Sequence, residues 1–277
     1  MGRLQRTNHF FNNASSSPFI RRPSPAGIPW DAYISRVGGF IPILIICYNN
    51  GWMVQRTVMD LYMKFEYLQY VIVDNGSTSE ETQNILVELE SLEKVRVIRL
   101  QENHGPYIVY RHPLLAKYRQ HPYLITDPDL DLSRLPEDAL EVFYRLGNAY
   151  RAHKIGPALD ISPNNTLIHD HRIEGASKIL DTERQYWNNR FSVSTEGFPP
   201  EYYRAPIDTT FCFIFPENDG PGSERSHIRV AGSYTVFHLP WIKEYIDGLT
   251  PNEYDDYFLR NDGKSTVSKV VRRYRRV

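Results

Sequence analysis

The segment Ile41-Pro42-Ile43-Leu44-Ile45-Ile46-Cys47 constrains the fold more than any other stretch of the chain. It is a nearly unbroken apolar run rich in β-branched residues. A strand with one wet face alternates polar and apolar residues; a strand without that alternation suits a parallel sheet covered on both faces. The chain then supplies the covering helices. After the turn cluster Tyr48-Asn49-Asn50-Gly51, residues Val54, Val58, Leu61, Tyr62 and Phe65 recur at helical spacing. A second strand over 70–73 stops at Asp74-Asn75-Gly76-Ser77. The next helix opens on a capping-box pattern, Ser77 with Glu80 or Thr78 with Glu81, and carries Ile85, Leu86, Leu89 and Leu92 as its apolar stripe. A third strand covers 95–100, and the turn Glu102-Asn103-His104-Gly105-Pro106 leads into a helix through Lys117. A fourth strand over 123–126 runs into Asp127-Pro128-Asp129-Leu130-Asp131.

Residues 41–131 therefore read β-α-β-α-β-α-β. That order implies an α/β fold with a mostly parallel sheet, right-handed crossovers and flanking helices. Ligands of such sheets bind beyond the carboxyl ends of the strands. Each polar cluster above follows a strand, so the clusters converge on one crevice. Beyond Pro136, a good first helical residue, a helix reaches to about residue 152. The rest is less regular, with strands expected over 155–161, 210–215 and 234–239 and a helix over 179–187.

Length and composition fit this reading. A chain of 277 residues suits one large α/β domain, and 41% hydrophobic residues fill a sizeable core. Residues 1–28, rich in Asn, Ser, Pro and Arg, read as a flexible or wrapping tail. Residues 29–260 read as one catalytic domain, with a nucleotide-binding half at about 41–131 and an acceptor half at about 132–260. Residues 261–277 read as a basic C-terminal helix or tail. A net charge of −1 gives no sign of a nucleic-acid partner. Cys47 and Cys212 are too few for a disulfide framework and read as buried free thiols, which suits a reducing compartment. No apolar stretch approaches the ~20 residues that span a bilayer, and no signal-peptide core is evident. The expected location is cytoplasmic, with one qualification at the C-terminus. Val267, Val270, Val271 and Tyr274 form an apolar stripe opposite Lys269, Arg272, Arg273, Arg275 and Arg276. That helix either docks on the domain or touches an anionic membrane or lipid-linked acceptor.

The chemistry centres on Asp127 and Asp129. In an extended chain residues i and i+2 face the same way. Two carboxylates then share one small volume, repel each other and resist burial. A hard divalent cation, Mn or Mg, relieves that conflict. Pro128 fixes φ between them. The competing reading is a solvated turn.

The ordered set of Ile43 to Asn50, Val71-Ile72-Val73-Asp74-Asn75-Gly76-Ser77-Thr78, Asn103-His104-Gly105 and Asp127-Pro128-Asp129 resembles the motifs of family 2-type GT-A glycosyltransferases. The resemblance covers about a third of the chain. It implies a GT-A-type (Rossmann-like) fold with an irregular acceptor-side second half. It implies that Tyr48, Asn49 and Asp74 hold the nucleotide, that Asn103 and Gly105 form a turn beside the donor, and that Asp127 and Asp129 flank metal and donor sugar. Asp74 alone reads equally as a strand-end turn residue or cap. Many inverting members place a catalytic carboxylate in a later Glu-Asp pair, which this chain lacks. The nearest substitute is Asp208, as general base on an acceptor hydroxyl, or else as a structural aspartate. His238 is a candidate extra metal ligand or an interior histidine. Trp241 could be a sugar platform or core. Glu183 and Trp187, one helical turn apart, could face an acceptor.

The expected function is transfer of a hexosyl or pentosyl unit from a nucleotide-diphosphate sugar to a hydroxyl of a glycan, lipid-linked or related acceptor, with inversion favoured. Two alternatives stand beside it: a HAD-like metal-dependent phosphohydrolase, and a nucleotide-sugar-binding module without turnover.

Overall fold

In the computed structural model, strand β1 (Ile41–Cys47) lies within a nine-stranded sheet, and every residue of it except Pro42 is buried. The described residues are 28–162, 166–188, 190–191, 201–222, 226–259 and 265–276, so all of the expected N-terminal tail but Ile28 falls outside them. After α1 (Trp30–Arg36), the alternation runs β1, α2 (Gly51–Tyr62), β2 (Leu68–Asp74), α3 (Glu80–Glu90), β3 (Val95–Arg99), α4 (Ile108–Arg111) and β4 (Tyr123–Thr126). These four strands are mutually parallel, in the order β3-β2-β1-β4. Pro42 has no N–H to give, and it precedes Ile43, where pairing with β4 begins.

The uniform apolar run still has two faces. Ile43 and Ile45 join Val54, Val58, Leu61, Leu86 and Phe143 in the larger core. Leu44 and Ile46 join Val109, Leu115, Ile125 and Ile214 in the smaller core on the opposite face. Both cysteines are buried free thiols, and burial pushes each up to about 12.

The second half adds α5 (Ala139–Tyr150), β5 (Lys154–Pro157), α6 (Ala176–Trp187), β6 (Arg190–Phe191), β7 (Tyr202–Arg204), β8 (Cys212–Ile214), β9 (Ile228–Val230), α7 (Lys243–Asp247), α8 (Pro251–Tyr254) and α9 (Thr266–Tyr274). The sheet continues β4-β8-β5-β9-β7-β6. It is antiparallel at every pairing here except β5 with β9.

Several local expectations need correction. Ser79, not Ser77 or Thr78, caps α3, accepting from Thr82 N at 3.4 Å, and Thr82 at the third position makes no capping box. The helix expected through Lys117 stops at Arg111, because Pro113 cannot continue it; a 3₁₀ turn Pro113–Arg119 follows. The strand expected over 234–239 is only a pair of isolated bridges at Val236 and His238 between 3₁₀ turns.

The C-terminal helix faces inward. Val270 and Val271 pack with Leu167, Ala176, Ile246 and Phe258. Its arginines reach carbonyls at the ends of neighbouring helical segments. Arg275 donates to Ile246 O at 2.8 Å, and Arg272 Nε to Phe258 O at 2.6 Å, on the π-helical turn Asp255–Leu259. Arg273 pairs with Glu174 at 2.8 Å. No helix among the described residues is long and apolar enough to cross a membrane.

Within the second half, β5 packs tightly against β8. A Cβ on Gly156 of β5 would stand 2.2 Å from Phe211 O and 3.2 Å from Cys212 Cα. Backbone cannot yield there as a flexible side chain would. Gly156→Ala should therefore cost about 1–3 kcal/mol or more, read as a lower urea midpoint at unchanged slope.

Candidate functional site

The crevice floor is built by side chains that tie one strand-end loop to the next. Asn49 takes a left-handed φ of 54° and is 1% exposed. Its Oδ1 accepts from Thr78 N at 2.7 Å and Ser79 N at 2.9 Å, while its own N–H donates to Ser77 Oγ at 2.9 Å. The amide expected at the nucleotide is thus engaged in stitching the loop after β1 to the loop after β2. Asp74 is as buried. Its Oδ1 accepts from Ser77 N and its Oδ2 from Gln83 Nε2, both at 2.9 Å. Each of its oxygens keeps a second lone-pair site. Tyr48 is half-buried beside them.

Asn75, which sequence reasoning passed over, is the hub of the next loop. Its Oδ1 accepts from His104 N at 2.9 Å, and its Nδ2 donates to Asn103 Oδ1 at 2.9 Å and Gly105 O at 3.2 Å. Asn103 Oδ1 in turn accepts from Gly105 N at 2.8 Å. Gly105 needs its φ of 81°, yet a Cβ there would meet nothing within 4 Å. The close backbone approach lies instead at Gly76, where a Cβ would come within 2.8 Å of Glu102 C.

Asp127-Pro128-Asp129 follows β4 and is clamped by three other segments. Asp127 N donates to Thr209 O at 2.8 Å, Thr57 Oγ1 of α2 to Pro128 O at 3.1 Å, and Leu239 N to Asp129 O at 2.9 Å. Leu130 and His238 pair as an antiparallel bridge, which sets the histidine beside the acidic pair. His238 Nε2 is 3.4 Å from Asp129 Oδ2. Tyr257, on the π-helical turn, donates to the same oxygen at 2.6 Å. Asp129 Oδ1 and His238 Nδ1 are buried with no hydrogen-bond partner among the described residues. Asp127 Oδ2 accepts from Thr209 Oγ1 at 2.5 Å. Burial, then the charges of Asp129 and Asp208, push the Asp127 carboxyl well above the usual range, against the Thr209 bond and the Lys154 charge.

The three residues expected at a metal thus share one neighbourhood, yet among the described residues no three acidic, histidine or cysteine groups form a ready ligand set. The chemistry still fits a hard cation. An aspartate pair with one buried, unpartnered oxygen and an elevated proton affinity is the environment a divalent ion relieves.

On the acceptor side, Asp208 is exposed, and its Oδ1 accepts from Thr210 N at 3.3 Å. Its carbonyl is held by Lys154 Nζ at 2.8 Å and by the Tyr110 hydroxyl. Lys154 is 7% exposed and also donates to Ile207 O at 2.9 Å and Tyr110 OH at 2.7 Å. Burial lowers its ammonium below the ordinary lysine range. Nothing in the sequence marks a lysine opening an apolar strand as the anchor of a loop 53 to 54 residues later. Arg229, also missed, is 4% exposed and reaches Pro157 O at 3.4 Å and Pro206 O at 3.2 Å. Glu183 of α6 keeps Oε2 buried and unpartnered. Trp187 donates to Leu159 O at 3.0 Å and lies 5.1 Å from the Tyr203 ring, as part of the packing. Trp241 is 4% exposed, with its ring 4.8 Å from His238. It is core rather than an open platform.

Residues 43–152 match the family model described as Glycosyl transferase family 2. The matched stretch begins in β1, ends just past α5, and includes the loops that follow β1, β2, β3 and β4. Glu183, Asp208 and His238 lie outside it. No curated protein matches the sequence. Among solved structures, the chain is similar to a mannosyltransferase from Pyrobaculum calidifontis in complex with GDP-Man and Mn2+. The identity is 12% and the TM-score 0.44, over 84% of this chain and 68% of that one. It is also similar to GalNAc-T7 with UDP, GalNAc and Mn2+, at 13% identity and a TM-score of 0.49. That match covers 79% of this chain but only 48% of GalNAc-T7.

The Asp127 environment gives a signed prediction. A carboxyl whose folded-state proton affinity is raised is best tolerated below its unfolded pKa of about 4. It then loses stability as pH climbs through the raised value. In chelator, Asp127→Asn should be more stable than the unsubstituted chain at pH 7, and the gap should close as pH falls toward 4. Urea midpoints across that range check this; a gap that does not change with pH would show the charge is already compensated inside the fold.

Proposed function

We propose that this chain, through its glycosyltransferase family 2 region, moves a sugar from a nucleoside-diphosphate sugar to a hydroxyl of a glycan or related acceptor, and that it needs a divalent cation, Mn or Mg. The observation that carries the reading is the pair of half-buried Asp127 and buried Asp129 beyond the carboxyl end of β4. The pair has an unpartnered oxygen and stands in one crevice with the Asn49, Asp74 and Asn75 loops.

Each part of the crevice has a task in that reaction. Asp74 keeps free lone pairs for an N–H of the base, with Tyr48 beside it. Asn49 acts one step back, by fixing the loop that carries Tyr48. Asn103 and Gly105, pinned by Asn75, border the donor. Asp127, Asp129 and His238 are the residues that would hold the cation. A divalent ion there supplies Lewis acidity for the charge that grows on the departing diphosphate. Tyr257 and Thr209 fix the orientation of the two carboxylates by donating to them. Asp208 and Glu183 are the two acceptor-side carboxylates, and either would deprotonate the attacking hydroxyl from the face opposite the leaving group, giving inversion.

The phosphohydrolase alternative usually places its nucleophilic aspartate near the first strand of the sheet, whereas Asp127 and Asp129 follow β4, and it leaves the Asp74 loop without a task. A binding module without turnover would share the donor site and differ only in releasing no diphosphate.

The test is a thermal-shift panel of UDP, GDP, CDP and dTDP with their common sugars, each with Mn2+ and with chelator. A ligand at 100 times its Kd stabilises the fold by about 2.7 kcal/mol. We expect that gain for one nucleotide, with Mn2+ only, and its loss in Asp129→Ala. A gain that survives chelator or Asp129→Ala contradicts the metal role, and no gain with any nucleotide contradicts the donor class.

A further inference from the structure

Helix α6 carries a carboxylate oxygen without a hydrogen-bond partner among the described residues. It is Oε2 of Glu183, which is buried, whereas buried polar atoms are nearly always paired, and an unpaired one costs free energy. The helix is not free to shift and supply a partner. Ala176 and Leu180 are buried on its inner face, and Trp187, one turn past Glu183, is fixed by its bond to Leu159 O and its packing on Tyr203.

The surroundings of Glu183 point to a polar ligand. The charged groups it feels are Arg229, His238 and Asp208. Arg229 has both terminal nitrogens on carbonyls, of Pro157 and Pro206, and its Nε has no partner. His238 Nδ1 is also buried without a partner among the described residues. His238 is the neighbour of Asp129, and Asp208 is among the charges that act on Asp127. Glu183 therefore lies on the acceptor side of the acidic pair, among donors and acceptors that a hydroxyl-rich molecule would satisfy. Asp208 is the poorer competitor for an acceptor hydroxyl. It is exposed, its Oδ1 is engaged by Thr210 N, and water screens it.

We propose that Glu183, rather than Asp208, receives the acceptor hydroxyl: Oε2 accepts its hydrogen bond and then its proton. This rests on the glycosyltransferase reading and names the acceptor-side group within it. As the acceptor O–H bond breaks, its proton passes to Glu183 Oε2. The oxygen's electron pair forms the new bond to the anomeric carbon. The bond from that carbon to the diphosphate oxygen breaks, and its electron pair leaves with the nucleoside diphosphate. Glu183 returns the proton to solvent before the next turnover. Burial raises the proton affinity of this carboxyl, against the opposing charges of Arg229 and His238, which suits a base working near neutrality. Arg229 would steady a neighbouring hydroxyl through its open N–H.

The experiment uses the full chain with Mn2+, the nucleotide sugars of the thermal-shift panel, and a set of methyl hexosides as acceptor probes. It reads nucleoside diphosphate released, and in parallel the metal-dependent thermal shift. Glu183→Gln should keep the shift and release diphosphate about 100-fold more slowly or worse, the scale of a lost general base. Glu183→Asp should recover part of the rate, and Asp208→Asn should lose less than Glu183→Gln. Glu183→Gln within about threefold of the unsubstituted chain, with the shift intact, overturns the assignment while the glycosyltransferase reading stands. An unsubstituted chain that neither shifts with any nucleotide nor releases diphosphate overturns that reading and the assignment with it.

Discussion

The structure turns on how two like charges are held next to each other inside a protein. Asp127 and Asp129 would separate if their backbone were free, because the charge of Asp129 raises the cost of ionising Asp127. The backbone is not free. Thr57 holds it from α2, Thr209 from the segment leading into β8, and Leu239 from the turn that follows His238. Three parts of the chain far apart in sequence meet on three residues. The packing on both faces of β1 makes this clamp rigid, since β4 is locked to β1 by the ladder from Ile43 to Ile45.

That arrangement explains why the second half exists in the form it does. β8 runs antiparallel between β4 and β5, and so brings the Ala205–Thr210 loop back over the acidic pair. Lys154, at the start of β5, reaches under that loop and holds the carbonyls of Ile207 and Asp208. A lysine buried there is poorly solvated, and its ammonium is kept by the negative groups around it. The second half is thus a continuation of the sheet whose loop at Thr209 is tied to the acidic pair.

Residues 41–131 were legible in the sequence because their leading elements are long enough to show their own period. Six buried residues of the seven in β1 and twelve residues in α2 leave a clear pattern. The acidic pair was legible because its position after a strand is visible in the chain. The acceptor half was not, for physical reasons. β7, β8 and β9 are three residues each, too short for alternation to stand out, and what holds them is pairing with strands distant in sequence. Asn75, Lys154 and Arg229 escaped for a related reason. Their partners are carbonyls and amides on other loops, and a polar side chain that binds backbone leaves no complementary residue to notice. Asn49 and Asp74 were found, but the structure engages their side chains in building loops, so any contact with a ligand is added to that work. Thr209 and Tyr257, which orient the two carboxylates, carry no motif at all.

The tie between α9 and the π-helical turn has a consequence in time. Arg272 of α9 holds the carbonyl of Phe258, next to Tyr257, whose hydroxyl sits on Asp129. A ribosome makes the carboxylates early and α9 much later. Until residues 266–274 emerge, the turn that carries Tyr257 lacks its Arg272 contact. The order of synthesis therefore leaves the support behind Asp129 to be added after the carboxylates themselves.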